Sequence, residues 1–237
     1  ADDERVAAMR SCAADGVRVL TYGISAEADI RAEALRCGVD GSRFMVTWAN
    51  ERHDYSIPLA GRHNVSNALA ALAAGFVLGL TPQEMQTGLR GLTPTKMRYE
   101  VHEVGAWRFI NDAYNASPSS MRAAIETTAA LYEGRKVAVL GDMLELGAAA
   151  EEAHRAIGQR VAELGFAVLV TYGPLAHYIH KAAKNAGNIK CVHAASHEEA
   201  AVLLHSLLVD GDTVLFKGSR GMHMEEVIAL LSGEEAG

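Results

Sequence analysis

The chain has 237 residues, 49% of them hydrophobic and 22% charged, with a formal net charge of −7. That length suits one large globular domain or two small ones, and the acidic balance gives no reason to expect a nucleic acid or an anionic membrane surface as partner. No apolar run reaches the ~18 residues of a spanning helix and no signal peptide is visible, so a cytoplasmic location is expected.

Cys12, Cys37 and Cys191 are scattered, odd in number and without metal-ligand spacing, which reads as free buried thiols in a reducing compartment. Residues 6–14 read as a short helix and 17–23 as a strand ending at Gly23. Residues 29–37 fit neither period clearly. Residues 43–48 and 55–59 read as a β-hairpin with the polar stretch 50–54 between them. In Gly61-Arg62-His63-Asn64-Val65-Ser66-Asn67-Ala68-Leu69-Ala70-Ala71 the period changes. Val65, Ala68, Leu69, Leu72, Phe76 and Val77 recur at helical spacing and form a buried stripe. Asn64 and Asn67 share a face near the helix start, where backbone N–H groups are free. Two carboxamides there supply the donors and acceptors that an adenine edge requires. The same spacing also fits capping, with Asn64 as N-cap and Asn67 as a solvated first-turn residue. His63 reads equally as a ligand contact or a structural histidine. Thr81-Pro82-Gln83-Glu84 is a capping box with proline at the first helical position. Residues 92–98 lack apolar periodicity and read as a linker.

Beyond residue 107 strand-like runs (107–110, 136–140, 167–170, 190–193, 213–216) alternate with helix-like runs (121–132, 149–164, 175–186, 197–208, 222–231). This pattern predicts an α/β fold with a doubly wound, mostly parallel sheet. The polar residues of interest follow strands, so they should line one edge of that sheet. They are Asp112 and Asn115, Gly141-Asp142, Tyr172-Gly173, and Lys217-Gly218-Ser219-Arg220. The stretch 111–121 brings a carboxylate, two carboxamides and a phenol to one turn; a solvated Asn/Ser turn is the plainer reading. Ser117 is a good N-cap and Pro118 a good first helical residue. Lys217 and Arg220, at a strand–helix turn, suit an anion; pairing with Glu225 or Glu226 is the alternative. There is no Gly-x-Gly dinucleotide fingerprint and no Gly-x-x-x-x-Gly-Lys-Ser/Thr phosphate loop.

Asp112-x-Tyr114-Asn115-Ala116-x-Pro118-x-Ser120-Met121 resembles the opening of the last domain of the bacterial Mur ligases, with Ser117 where the family has Asn. Within that family the block looks most like the enzymes that add D-alanyl-D-alanine. Gly61-x-His63-Asn64-x-x-Asn67-Ala68-x-Ala70-Ala71 is similar to the family's central-domain signature. Gly141-Asp142-Met143-Leu144-Glu145-Leu146-Gly147, with His154 and Gly158, and Lys217-Gly218-Ser219-Arg220, with Met224-Glu225, resemble later blocks. Ala1-Asp2-Asp3 resembles a central-domain segment cut after its first residue.

The resemblance implies a fragment. Residues 1–96 would be part of an α/β ATP-binding domain with a β-hairpin, lacking its phosphate loop. Residues 97–237 would be a Rossmann-like ligase domain. The implied reaction is ATP-dependent addition of D-alanyl-D-alanine to UDP-N-acetylmuramoyl tripeptide through an acyl phosphate, in peptidoglycan precursor synthesis. ATP and Mg²⁺ would be held mainly by the missing part, with no metal ligand in this fragment. Asn64 and Asn67 would face ATP, Asn67 at the adenine. Arg98 would reach the phosphates and act catalytically by offsetting their charge, and Asp112 would accept from the ribose. Tyr114, Asn115, Lys217, Ser219 and Arg220 would face the peptidyl substrates. The enzyme would be a monomer and the fragment alone inactive. Two other readings are a non-catalytic Rossmann-like nucleotide- or metabolite-binding module and a folylpolyglutamate-type amide ligase.

Overall fold

The computed structural model describes residues 1–233. The chain divides into two compact units, Ala1–Thr93 and Pro94–Gly237. In the first, α1 (Glu4–Ala8) runs into a 3₁₀ turn, Met9–Cys12, and is followed by β1 (Tyr22–Gly23), β2 (Ile30–Gly38), β3 (Gly41–Trp48), β4 (Glu51–Ile57), α2 (Arg62–Val77) and α3 (Pro82–Arg90). The sheet order is β1-β2-β3-β4. Its inner face, with Ile30, Ala32, Phe44, Val46, Tyr55 and Ile57, packs on Val65, Leu69 and Leu72 of α2.

Several local expectations change here. Only Tyr22 and Gly23 of 17–23 enter the ladder; the Thr21 N–H is diverted to the Asp29 carboxylate at 2.8 Å. The ambiguous stretch 29–37 is strand β2, interrupted by a bulge between Glu33 and Arg36. The hairpin loop is shorter than the polar stretch suggested. Trp48 pairs with Glu51, and Ala49 and Asn50 turn the chain at φ 50° and 67°, the left-handed pair that a two-residue hairpin turn favours. The polar residues 51–54 are extended because Tyr55 and Ile57 beyond them must reach the core. Val77 leaves the buried stripe of α2 at 72% exposure, and Phe76 instead stacks on Trp48 at 4.5 Å. The α2 N-cap is Gly61 at φ 94°, not Asn64. The Thr81–Glu84 capping box and Pro82 start α3 as the sequence indicates.

The second unit opens with β5 (Glu100–Val104), β6 (Trp107–Asn111) and α4 (Pro118–Leu131). It continues through β7 (Lys136–Gly141), α5 (Ala150–Glu163), β8 (Val168–Tyr172), α6 (Ala176–Ala186), β9 (Lys190–Ala194), α7 (His197–Leu207), β10 (Thr213–Lys217) and α8 (Glu225–Ser232). The six-stranded sheet has the order β5-β6-β10-β7-β8-β9. All its strands are parallel except β5, which forms a hairpin with β6. Period-2 alternation splits the strands between two cores. Phe109, Val137, Val139, Val170, Val214 and Phe216 face α7 and α8. Ile110, Ala138, Leu140, Leu169 and Leu215 face α4, α5 and α6. This is the doubly wound, mostly parallel α/β sheet expected.

The thiols are free, but Cys12 is exposed and Cys37 and Cys191 are half-buried rather than buried. Among the described residues no helix is long and apolar enough to cross a membrane.

Candidate functional site

β10 lies between β6 and β7, so the loops that follow β6, β10 and β7 emerge side by side at the carboxyl edge of the sheet, where open α/β sheets bind ligands. Ser117 caps α4 by accepting from the Ser120 N–H, and Pro118 takes the first position. The intervening turn, 112–116, is held from below by Lys217. Its ammonium donates to Asp112 Oδ2 at 2.6 Å, to the Asp112 carbonyl at 3.2 Å and to the Asn115 carbonyl at 2.9 Å. Three donors meet three acceptors, and Lys217 is 2% exposed. Burial lowers the Lys217 pKa, and the Asp112 carboxylate opposes that shift. The residue read as an anion binder thus has its charge engaged within the fold. Lys217 does not pair with Glu225 or Glu226, but the alternative reading of this basic loop holds for Arg220, which pairs with Glu225.

Asp112 is half-buried and accepts on both oxygens, from Lys217 and, at 3.0 Å on Oδ1, from the Tyr99 N–H. Each carboxylate oxygen has a second lone pair for a hydroxyl. Tyr114 is exposed and lies under the Arg98 guanidinium, 4.2 Å from the ring centroid. The Tyr114 N–H donates to the Met97 carbonyl at 3.1 Å. Arg98 is therefore carried beside Asp112 by a two-point attachment of its neighbours. Met97 and Tyr99, on either side of it, have φ of 60° and 55°, a conformation that costs bulky residues energy and clusters at ligand sites.

Ser219 is buried; its hydroxyl donates to the Ala116 carbonyl at 3.3 Å and accepts from the Leu144 N–H at 2.9 Å. Its own N–H donates to the Asp142 carbonyl at 2.9 Å, so it joins the three loops. Asn115 Oδ1 accepts from the Ala116 N–H at 2.8 Å. Arg220 is exposed, pairs with Glu225 and reaches Met97 Sδ at 3.6 Å. The second unit thus gathers Arg98, Asp112, Tyr114, Asn115, Lys217, Ser219 and Arg220 along one edge. Asn64 and Asn67 belong to the first unit: the Asn64 side chain donates to the Ala60 carbonyl at 2.8 Å, and Asn67 is exposed on α2.

Sequence reasoning missed Tyr99, whose backbone fixes Asp112 and whose hydroxyl meets Thr128 at 2.9 Å; nothing in the local pattern marks it. It assigned no role to His154, which is fully buried. There Nε2 accepts from the Met143 N–H at 2.9 Å, and Nδ1 donates to the Ala150 carbonyl at 2.6 Å, tying the loop after β7 to α5. Asp142 Oδ1 accepts from the Ala176 N–H at 2.6 Å and so caps α6. Among the described residues no group of three His, Cys, Asp or Glu could hold a metal ion.

A family model for the Mur ligase glutamate ligase domain matches residues 97–220, and one for the Mur ligase middle domain matches residues 1–75. The UDP-N-acetylmuramoyl-tripeptide–D-alanyl-D-alanine ligase of Bacillus subtilis is 37% identical over 211 residues, covering 88% of this chain and 46% of that protein. The crystal structure of MurF from Acinetobacter baumannii superposes with a TM-score of 0.86 at 30% identity, over 98% of this chain and 50% of that one. MurF of Thermotoga maritima in complex with ADP gives 0.75 at 25% identity, over 91% and 48%. The chain spans about half the length of the relatives it matches. On the match across the edge-forming unit and on those relatives, the chain belongs to the Mur ligase family.

Proposed function

We propose that this chain is part of an ATP-dependent amide ligase that adds D-alanyl-D-alanine to UDP-N-acetylmuramoyl tripeptide, acting as a cytoplasmic monomer in peptidoglycan precursor synthesis. The observation that carries the proposal is that Arg98 and Asp112 are held side by side at one sheet edge, through the Tyr99 N–H to Asp112 and the Tyr114 ring under Arg98, in a chain whose relatives are named for that reaction. Asp112, anchored by Lys217 and Tyr99, accepts from ribose hydroxyls. Arg98, pre-oriented on the Tyr114 ring, offers a guanidinium fork to the phosphates. Its role is to offset charge on the phosphoryl group as the tripeptide carboxylate attacks it. Asn67, with Asn64 nearby, is the carboxamide assigned to adenine. Arg220, exposed but ion-paired with Glu225, is the cation that would meet a peptide carboxylate by exchanging that partner, with Tyr114, Asn115 and Ser219 shaping the turn beside it, while Lys217 supports that turn from within. Mg²⁺, which the family resemblance implies, would be held mainly by residues outside this stretch.

The test is phosphate release from ATP by the gene product. Release that requires both the tripeptide nucleotide and D-alanyl-D-alanine is expected, and Arg98→Ala should lower kcat by about 100-fold or more, as loss of one charge-stabilising donor does. Asp112→Ala should raise the KM for ATP. Phosphate release driven by glutamate and a folate instead would replace this reading with the folylpolyglutamate-type one, and no release with any acceptor would leave a binding module.

A further inference from the structure

A row of arginines in the first unit has no part in the ligase reading. Arg36 on β2 stands directly opposite Arg43 on β3, and Arg43 stands opposite Ser56 on β4. Arg90, in the last turn of α3, donates to Ser56 Oγ at 3.4 Å. Gln86 fixes α3 against this edge strand by accepting from the Ser56 N–H at 3.0 Å and donating to its carbonyl at 3.2 Å. Arg36, Arg43, Ser56 and Arg90 all line two adjoining cavities of about 450 and 660 Å³.

Like charges directly opposite each other on neighbouring strands destabilise a sheet. Elsewhere Arg31, Arg108, Arg135, Arg155 and Arg160 are each ion-paired, and Arg52 and Arg122, which among the described residues are not, do not face another arginine across a strand pair as Arg36 and Arg43 do. Among the described residues no ion pair involves Arg36, Arg43 or Arg90, although Asp40 and Asp54 also border the cavities. The missing counter-charge, the forked donors and a volume of small-ligand size select a compact, multiply charged anion. Guanidinium forks match phosphate oxygens two at a time, and strands ~4.8 Å apart bring the stems of Arg36 and Arg43 close enough for both long side chains to converge on one such anion.

The geometry points to an anion-binding site on the outer face of β2–β4 that takes a pyrophosphate-like group, in a different unit from the Arg98–Asp112 edge. Isothermal titration of the chain with sodium pyrophosphate tests it. One saturable site is expected, weakened by added NaCl because the arginines are exposed. Arg43→Ala should weaken it about tenfold or more, the loss of one charge-assisted contact. Arg90→Ala should do the same if Arg43→Ala disturbs the strand, and the exposed Arg122→Ala on α4 should change nothing. Equal affinity in wild type and both variants would overturn the site. So would binding abolished by Arg98→Ala but not by Arg43→Ala, which would move the anion to the second unit. Binding of a polyglutamate peptide without pyrophosphate would replace the small anion with an acidic protein segment.

Discussion

Lys217 shows how one residue can look like a ligand contact and serve the fold. Its position after β10 was legible, because a strand-like run ends there and a Gly-Ser-Arg turn begins. Its partners were not. They lie 102 to 105 residues away in sequence, and only the insertion of β10 beside β6 brings them near. Arg98, Asp112 and Tyr114 were legible as a group through the motif, whereas Tyr99 and the strained backbone around Arg98 were not, since no local pattern encodes them. The ammonium is almost solvent-free and Asp112 is its only charged partner among the described residues. Removing one member of a buried pair strands the other charge, which typically costs about 3 kcal/mol or more. Lys217→Met should therefore lower the unfolding free energy of the second unit by about that amount in a urea titration. A loss below about 1 kcal/mol, the size of a solvent-exposed pair, would show that the ammonium is hydrated in solution.

Among the elements, α5 and α6 make the tightest crossing. Gly158 was visible only as a motif letter; its reason is that a Cβ there would lie 2.2 Å from the Ile179 carbonyl oxygen and 3.0 Å from Ala182 Cβ. In an isolated helix alanine would gain about 1 kcal/mol over glycine. Here the backbone of α6 blocks it, so Gly158→Ala should destabilise by about 2 kcal/mol, the scale of overpacking. A raised Tm would contradict the close crossing. The other face of α6 carries His177 and His180, which with His193 of β9 form a cluster with ring centroids 5.4 to 6.2 Å apart. Burial is the main cause that holds His180 and His193 below the ordinary 6.5; Lys184 and His177 add to it at His180, against the hydrogen bond to the Val192 backbone, and His177 and His180 add to it at His193. Asp142 and Glu199 oppose the shift at His193. A depressed histidine binds fewer protons folded than unfolded, so stability is full above 6.5 and is lost as pH falls from there toward the folded pKa. His193→Gln should shrink the drop in Tm between about pH 7.5 and about pH 5.5; an unchanged drop would place the acid sensitivity elsewhere. The strand β5 was overlooked for a physical reason as well. Its residues are largely exposed, so it has little apolar alternation, and its only signal is the Gly105-Ala106 turn that joins it to Trp107.

At the scale of the whole chain, the division into two units predicts where the backbone is vulnerable. Residues 91–96 are exposed, and 92–95 have no regular hydrogen-bonded structure, while Met97 is tied into the second unit, its N–H donating to Glu100 Oε2 and its carbonyl accepting from the Tyr114 N–H. Cleavage of a native chain requires a segment that can leave its surroundings cheaply, and few-contact linkers do so at almost no free-energy cost. Lys96 is the basic residue in that stretch, so brief trypsin treatment should cut after it before the other exposed basic residues on regular elements. The larger product, beginning at Met97, keeps both hydrophobic cores of the six-stranded sheet and should unfold cooperatively in urea with the Lys217 pair intact. It loses the Thr95 carbonyl to which the Arg98 N–H donates, a bond worth about 1 kcal/mol. Peptide mapping and the urea curve of the purified product decide the matter. Early cuts spread through α4 to α8, or a product without a cooperative transition, would show that the second unit depends on the first for its fold.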